Sequence, residues 1–328
     1  MKNDWLLCYE DYDADDEGVR EVLCALGNGY IVSRAAAPNA RADDKHYPGT
    51  YLSGGYNRLA TDIAGQQIEN EDLVNLPNWL PLNLQIGGND GSLHPDRTLL
   101  LDYRQALDLR GGILTRTLRF RNDAGQVTRW EEKRIVSIDN QHLAALSVTV
   151  TPENWSGPMT LRLGVDGGVT NAGVPRYRAL NGQHLETLDR GTLEGSVLWL
   201  RSRMVQSRRE IALATRNLVE IEGNSITPTE VERSTDEVCA VYQLQAREGH
   251  PIHVEKIAAY FNSKDHAITE PLAEAVMLVR SADRMADLLH AHSRAWRQLW
   301  EQCDIQINTG NGAAQLRLRL HVFHLLQT

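Results

Sequence analysis

The carboxylates of this sequence are the first candidates for acid-base chemistry. Glu131 and Glu132 are adjacent in a segment of strand-like alternation, where neighbouring side chains point to opposite faces. They cannot therefore act together on one bond as an acid-base pair. The remaining candidates are the charge runs at Asp15–Glu17 and at Glu69, Glu71 and Asp72, and the turn-associated residues Asp102, Asp108 and Asp166. The charge runs predict solvated surface, and turn or capping hydrogen bonds account for the three aspartates.

Histidine, serine and glycine patterns indicate neither a metal centre nor a nucleophile. His321 and His324 are three residues apart and share a face of a helix, but no third ligand accompanies them, and zinc sites need at least three protein ligands. The sequence has no Gly-x-Ser-x-Gly motif, and Gly27 to Gly29 lacks the continuation of a phosphate-binding loop. We therefore expect no metal and no cofactor.

Composition excludes several classes of partner. The formal charge of -9 and the pI of about 5.7 argue against nucleic-acid binding, which needs a clustered basic surface. The N-terminus has no apolar core of a signal peptide, and no window reaches the roughly 18 apolar residues of a membrane helix. The four cysteines show neither metal-site spacing nor the density of a disulfide scaffold. We expect a cytoplasmic protein that binds neither nucleic acid nor a membrane.

The middle of the chain predicts antiparallel sheets. From about residue 110 to residue 262, short alternating or β-rich runs are separated by turn residues. So many consecutive strands predict a large β-sandwich. Residues 27–93, rich in glycine, proline and asparagine, predict loops and tight turns more than long strands. The predicted strands are Ile113–Arg121, Thr128–Ile138, Leu143–Val150, Met159–Val165, Ser196–Arg203 and Val238–Ala246.

The period changes after Pro271. Apolar residues from Leu278 to Leu299 recur at spacings of four and three, with charged residues between them. This pattern predicts one amphipathic helix with a buried stripe. The stripe consists of Leu278, Ala282, Met285, Leu289, His292, Trp296 and Leu299.

Several motifs, together with the last eight residues, resemble glycoside hydrolase family 65, the inverting disaccharide phosphorylases that act on maltose, trehalose and kojibiose. The resemblance runs along nearly the whole chain in the same order. The segments that carry it are Gly27-Asn28-Gly29-Tyr30, Tyr47–Tyr51, Asn75–Leu80, Leu107–Gly112 and His321–Thr328.

The resemblance implies a mainly β fold. It implies a large antiparallel β-sandwich of the super-sandwich, galactose-mutarotase-like type over residues 1–268, a helical linker over 269–302, and the first helix of an (α/α)6 catalytic barrel over 303–328. Alternation near the end of the chain fits a strand as well as a helix, and the resemblance favours the helix. Because the barrel would follow, we expect Leu316, Leu320 and Phe323 to lack cover and the tail to fray or self-associate.

The resemblance also implies a reaction. In the family, a glutamic acid protonates the glycosidic oxygen while inorganic phosphate attacks the anomeric carbon from the opposite face. That acid is expected beyond residue 328, so no residue of this chain inherits a catalytic role. The implied parent is a homodimer that acts on an α-linked glucose disaccharide with phosphate as co-substrate.

The aromatic loop residues have two interpretations. They either build the fold around tight turns or form a rim of the active site that stacks on a sugar. The candidates for such a rim are Tyr47, Tyr51, Tyr56, Trp79 and His324. The alternative to a phosphorylase fragment is a free-standing carbohydrate-binding or structural β-sandwich. The choice of disaccharide, and of phosphate or water as acceptor, stays open.

Overall fold

The structure, a computed structural model, describes residues 4–87, 93, 98–172, 179–307 and 312–328. These residues form mostly β structure with a few helices. The strands are β1 Leu6–Tyr9, β2 Leu26–Gly27, β3 Ile31–Ser33, β4 Thr50–Leu52, β5 Tyr56–Ile63, β6 Gln66–Leu73, β7 Leu82–Ile86, β8 Leu99–Asp108, β9 Ile113–Arg121, β10 Val127–Val136, β11 Leu143–Pro152, β12 Gly157–Asp166, β13 Leu185–Leu193, β14 Val197–Met204, β15 Glu210–Ile221, β16 Asn224–Ile226, β17 Glu230–Arg233, β18 Glu237–Ala246 and β19 Ile252–Asn262. The helices are α1 Glu17–Leu23, α2 Pro271–Ser281, α3 Met285–Cys303 and α4 Gly312–Leu326.

Two antiparallel sheets face each other. The larger has ten strands in the order β1-β8-β9-β10-β11-β19-β15-β14-β13, with β16 paired to β15. The smaller has the order β17-β18-β12-β7, and its strands β12 and β18 pack on β14 of the larger sheet. A three-stranded sheet, β2-β3-β4, and the hairpin β5-β6 accompany them. This arrangement is the predicted β-sandwich.

The larger sheet is covered on both faces along its centre. In β11, Leu146 and Val148 belong to the core between the sheets, while Leu143 and Ala145 belong to a second core. That second core includes α2 and the start of α3, which pack on the outer face of the sheet. A strand covered on both faces loses simple alternation and becomes continuously apolar, as the start of β11 does.

The predicted strands are confirmed, but the prediction of loops for residues 27–93 is wrong at the hairpin β5-β6. Its strands are eight residues each and carry mostly polar, exposed side chains. Their turn places Ala64 at φ 54° and Gly65 at φ 82°, the left-handed pair that a two-residue hairpin needs. Because the ribbon covers no core on most of its length, it shows no apolar alternation that a sequence could display.

The prediction of a single helix from Leu278 to Leu299 is also wrong. Helix α2 ends at Ser281, and Ala282 adopts extended backbone angles, φ -60° and ψ 143°. The guanidinium of Arg216 in β15 donates hydrogen bonds to the carbonyl oxygens of Ala282 at 2.7 Å and Asp283 at 3.0 Å. The carbonyls at the break are thereby satisfied by the sheet, which lets the chain turn and α3 begin at Met285.

Helix α4 is confirmed, but the expectation that it lacks cover is wrong. Phe323 is fully buried, and its ring stacks on Trp296 of α3 with 4.7 Å between centroids. Leu316 and Leu320 pack against the same core. The tryptophans of α3 therefore supply the apolar surface that we expected only from a following domain.

Candidate functional site

The loop motifs are joined to one another by hydrogen bonds. The backbone N–H of Thr50 donates to Oδ1 of Asn75 at 3.0 Å, which ties β4 to the 75–80 segment. Nε1 of Trp79 donates to the hydroxyl of Ser33 at 3.2 Å, which ties that segment to β3. Backbone hydrogen bonds between Asn78 and Asp166 then join it to the end of β12. These motif residues thus assemble one end of the sandwich.

Two of the predicted rim residues are buried within this assembly. Trp79 has no exposed surface, so neither face of its ring is open to a ligand. Tyr47 is 9% exposed, and its hydroxyl donates to the carbonyl oxygen of Thr170 at 3.0 Å. Arg34 lies over the Tyr47 ring at 5.3 Å from its centroid. Both aromatic rings contribute to packing at this end of the molecule.

The other rim candidates lie on three different elements. Tyr51 in β4 is half-buried, and burial together with the Tyr47 hydroxyl raises the pKa of its phenol. Tyr56 begins β5 and is 53% exposed. His324 is half-buried on α4, where burial lowers its pKa. Their contact with a sugar stays a prediction.

A cavity of about 240 Å³ opens beside the motif segments. Asp166 lies at its wall, where Oδ1 accepts the backbone N–H of Gly168 at 2.7 Å. Burial raises the pKa of this carboxyl group. The cavity is lined by Pro38, Asn39, Ala40, Arg41, Ala42, Pro48, Asn75, Asn78, Pro81, Asn83, Asp166, Gly168, Val169, Thr170 and Glu237. A concave site with several convergent polar groups is a candidate for ligand binding.

A cluster of acidic and basic side chains lies inside the protein next to this end. Glu132 is buried, with Oε1 2.5 Å from Nη2 of Arg134 and Oε2 3.6 Å from Nη1 of Arg116. Glu131 is on the opposite face and 44% exposed, as predicted. Because Glu132 is enclosed by its arginines, its carboxylate has no access to a substrate. Glu131 and Glu132 therefore cannot act together as an acid-base pair, and the role of Glu132 is structural.

The prediction of solvated surface for Asp15–Glu17 is wrong at Glu17. This residue is 4% exposed, and burial raises the pKa of its carboxyl group. Glu17, Arg20 and Glu21 occupy the buried face of α1, while Val19 and Val22 are exposed. The charged face is buried because its groups have partners there: Glu21 pairs with Arg34 at 3.1 Å and accepts the backbone N–H of Tyr47 at 3.0 Å.

Lys256 is a buried basic residue outside the Glu132 cluster. Its ammonium donates to the carbonyl oxygens of Pro81, at 2.9 Å, and Gly164, so it connects β19 to the smaller sheet. Burial lowers the pKa of this lysine to about 7.

Sequence reasoning missed three of these buried groups, Arg116, Arg134 and Lys256. A signal was present in each case. Arg116 is in phase with Leu114 and Leu118 on the buried face of β9, and the other two hold comparable positions. A long charged side chain in phase with core residues predicts a buried ion, provided that its strand register is known.

In the part of the chain that the structure describes, neither a cluster of candidate metal ligands nor a membrane-spanning helix is found. No group of three or more His, Cys, Asp or Glu side chains there is placed to hold a metal ion. None of the helices in the same residues combines the length and apolar character that crossing a bilayer requires.

A family model matches most of the chain. The model of the glycosyl hydrolase family 65 N-terminal domain matches residues 7–299. The chain belongs to glycosyl hydrolase family 65. The predicted resemblance is thereby confirmed.

Relatives of this family 65 chain include hydrolases and phosphorylases. An uncharacterized glycosyl hydrolase of Mycobacterium tuberculosis is 42% identical over 325 residues, which cover 99% of this chain and 24% of that protein. A kojibiose phosphorylase of Caldanaerobacter subterraneus subsp. tengcongensis is 28% identical over 337 residues, which cover 99% of this chain and 41% of that protein. The chain thus spans about a quarter of the first of these family 65 relatives and about two fifths of the second.

A solved family 65 structure shows the same fold. A human-microbiome protein assigned as a kojibiose phosphorylase superimposes with a TM-score of 0.86 at 17% identity, covering all of this chain and 42% of that one. At this identity the likeness establishes the fold alone.

Proposed function

We propose that this chain is the N-terminal β-sandwich portion of an inverting α-glucoside phosphorylase or hydrolase of carbohydrate metabolism. The observation that carries the proposal is the family 65 N-terminal match over residues 7–299, in a chain that covers 41% of a kojibiose phosphorylase. The parent would convert an α-linked glucose disaccharide and phosphate into β-glucose 1-phosphate and glucose. Homodimerisation and a cytoplasmic location belong to the same proposal.

Within that parent, the chain itself would be a scaffold without a catalytic residue. Inverting phosphorolysis needs a carboxylic acid that reaches the glycosidic oxygen, with phosphate on the opposite face of the sugar. The most enclosed glutamates of this chain, Glu21 and Glu132, are committed to ion pairs with arginines. Asp166 is at a cavity, and the binding role argued below suits it better than proton transfer.

The test compares this chain with the full protein encoded by the same gene. Both would be incubated with kojibiose, trehalose and maltose, with and without inorganic phosphate, and the anomer of glucose 1-phosphate would be followed by NMR. We expect the β anomer from the full protein and no glucose release from the 328-residue chain. Turnover by the chain alone that disappears in Asp166→Asn would contradict the scaffold role.

A second candidate is a non-catalytic β-sandwich that acts alone. One observation favours it, which is the burial of Phe323 against Trp296. This contact makes α4 part of the same packed unit as the sandwich. An inactive full protein in the assay above would favour this candidate.

A further inference from the structure

The cavity at the motif segments presents side chains with unused hydrogen-bonding atoms. Asn78 is 4% exposed, and its Oδ1 accepts the backbone N–H of Leu80 at 3.0 Å. Its Nδ2 has no partner among the residues that the structure describes. Because this nitrogen is accessible from the cavity, water or a ligand there can accept its hydrogen bonds.

Asn83 presents a complete unused amide. It lies in β7, where Leu82 and Leu84 point into the core and Asn83 points away from it. Among the described residues, its side chain makes no hydrogen bond, although it lines the cavity. Its substitution therefore removes no side-chain hydrogen bond among the described residues.

Asp166 and Asn39 contribute acceptors. One carboxylate oxygen of Asp166 accepts from Gly168, and its Oδ2 has no partner in the described part of the chain. Asn39 is 9% exposed and donates Nδ2 to the carbonyl oxygen of Leu93 at 2.6 Å, which leaves its Oδ1 unused. The cavity therefore combines unused donors and unused acceptors within about 240 Å³.

This mixture selects the ligand class. An apolar ligand would leave the unused amide and carboxylate atoms desolvated. An anion would meet the carboxylates of Asp166 and Glu237, and Arg41, which is 83% exposed, lies 3.5 Å from Glu237. Hydroxyl groups both donate and accept, so one polyhydroxylated molecule can satisfy amide N–H groups and carboxylate oxygens together.

We propose that this cavity binds one small neutral polyhydroxylated molecule of hexose size, held by hydrogen bonds to Asn78, Asn83 and Asp166. Its volume far exceeds the roughly 10–15 Å³ that one water requires. The rings of Pro38, Pro48 and Pro81 provide apolar walls for the C–H faces of such a molecule. This role goes beyond that of a scaffold.

The experiment is a saturation-transfer NMR titration of the 328-residue chain with D-glucose and, separately, with myo-inositol. We expect saturable binding in the millimolar range for at least one of them. Asn83→Ala should weaken it about tenfold, the effect of losing a hydrogen-bonding group in a site built for it. Asn83→Leu should abolish it by filling the cavity. Circular dichroism would establish that each variant is folded, and Asn83→Ala decides if Asn83→Leu does not fold.

The matched control is Gln243→Leu. Gln243 is an exposed amide on β18, on the same outer face of the smaller sheet as Asn83, and it does not line the cavity. Its replacement should leave the dissociation constant unchanged. The proposal fails if neither compound gives saturable signal, or if Asn83→Leu binds as the unmodified chain does. It also fails if Ca²⁺ rather than a polyol binds in an Asn83-dependent way. Because no turnover is measured, this outcome is separate from that of the phosphorylase assay.

Discussion

Two peripheral segments attach to the ten-stranded sheet through different interactions. The N-terminal segment is held by an ionic junction, which we define as Glu21, Arg34, Arg116, Glu132 and Arg134. The C-terminal helices are held by an aromatic junction, which we define as Trp5, Trp296, Trp300 and Phe323 together with His292. Both junctions are largely buried.

The ionic junction works through guanidinium groups that reach across to backbone carbonyls. Arg116 donates to the carbonyl oxygen of Ala35 and Arg134 to that of Ala36, each at 2.9 Å. Arg34 continues the chain of contacts to Glu21 of α1 at 3.1 Å. The segment after β3 is therefore fixed by charged donors that themselves depend on Glu132 for balance.

The aromatic junction works through contact area and neutral hydrogen bonds. Trp300 lies edge-to-face on Trp5 at 4.9 Å and donates Nε1 to the carbonyl oxygen of Leu109 at 2.8 Å. Gly112 lies under Trp296, so closely that a Cβ there would be 2.0 Å from Nε1 of the indole. Stability here is spread over many dispersion contacts.

The two junctions therefore lose stability in different ways when a residue is replaced. Removing one member of a buried ion cluster leaves the remaining buried charges without a partner. The resulting loss of folding free energy is large even for an isosteric change. Removing atoms from an aromatic cluster costs transfer free energy and leaves a cavity, so the loss grows with the volume removed.

The largest effect is expected at the ionic junction. Glu132→Gln keeps the shape of the side chain but leaves Arg116 and Arg134 with less compensating charge. We expect the free energy of unfolding to fall by about 3–5 kcal/mol, measured by urea denaturation. The control is Glu131→Gln, the exposed neighbour on the opposite face, which should change it by less than about 0.5 kcal/mol. Equal effects of the two variants would show that burial of the cluster does not matter.

A somewhat smaller effect is expected at the aromatic junction. Phe323→Ala removes a fully buried ring that stacks on Trp296, and we expect a loss of about 3 kcal/mol. Phe323→Leu should lose less stability than Phe323→Ala, because it removes fewer buried atoms. Such a result would show that the loss grows with the volume removed. Leu325→Ala, at a residue that is 72% exposed, serves as control and should be nearly neutral. A frayed α4 would instead make all three variants alike in thermal or urea unfolding.

These junctions also mark how far the sequence could be interpreted. The strands β9 and β10 follow from alternation because one face of each meets a core, and the motif segments indicated the family and hence the sandwich. Helix α1 could not be foreseen as it is. Its Glu17, Arg20 and Glu21 are spaced as a solvated face would be, and they are buried because Glu21 finds partners in Arg34 and the backbone of Tyr47, which local spacing does not reveal.

The candidate site shows the same limit. The segments Tyr47–Tyr51 and Asn75–Leu80 carried the family resemblance, and Pro48, Asn75 and Asn78 of these segments line the cavity. Asn83 and Asp166 gave no local signal as partners, because their proximity depends on the pairing of β7 with β12 and on the bridge between Asn78 and Asp166. Such pairing joins strands that are far apart in the sequence, and local periodicity does not predict it.

The smallest effect is the dependence of stability on pH, which should have opposite signs at the two junctions. In the aromatic junction, Nδ1 of His292 accepts the N–H of Ile138 at 3.2 Å, and Nε2 donates to the carbonyl oxygen of Gly112 at 3.0 Å. Burial lowers the pKa of His292 to about 4 from its ordinary value of 6.5. Its contribution is therefore complete above pH 6.5 and is lost as the pH falls towards 4. The variant His292→Gln offers a similar acceptor and donor but does not titrate. Between pH 7 and pH 5, we expect the free energy of unfolding of the unmodified chain to fall by about 2 kcal/mol relative to that of this variant.

His46, beside the ionic junction, should respond in the opposite direction. Burial alone would lower its pKa, but the hydrogen bond to Glu21 and the charge of that carboxylate outweigh it, so the pKa of His46 is raised. Its contribution is present below the ordinary pKa of 6.5 and is lost as the pH rises through the raised value. The stability difference between the unmodified chain and His46→Gln should therefore grow on acidification, while that for His292→Gln shrinks. Urea unfolding of the three proteins from pH 5 to pH 8 measures both differences. If they changed in the same direction, the electrostatic contrast between the junctions would be refuted.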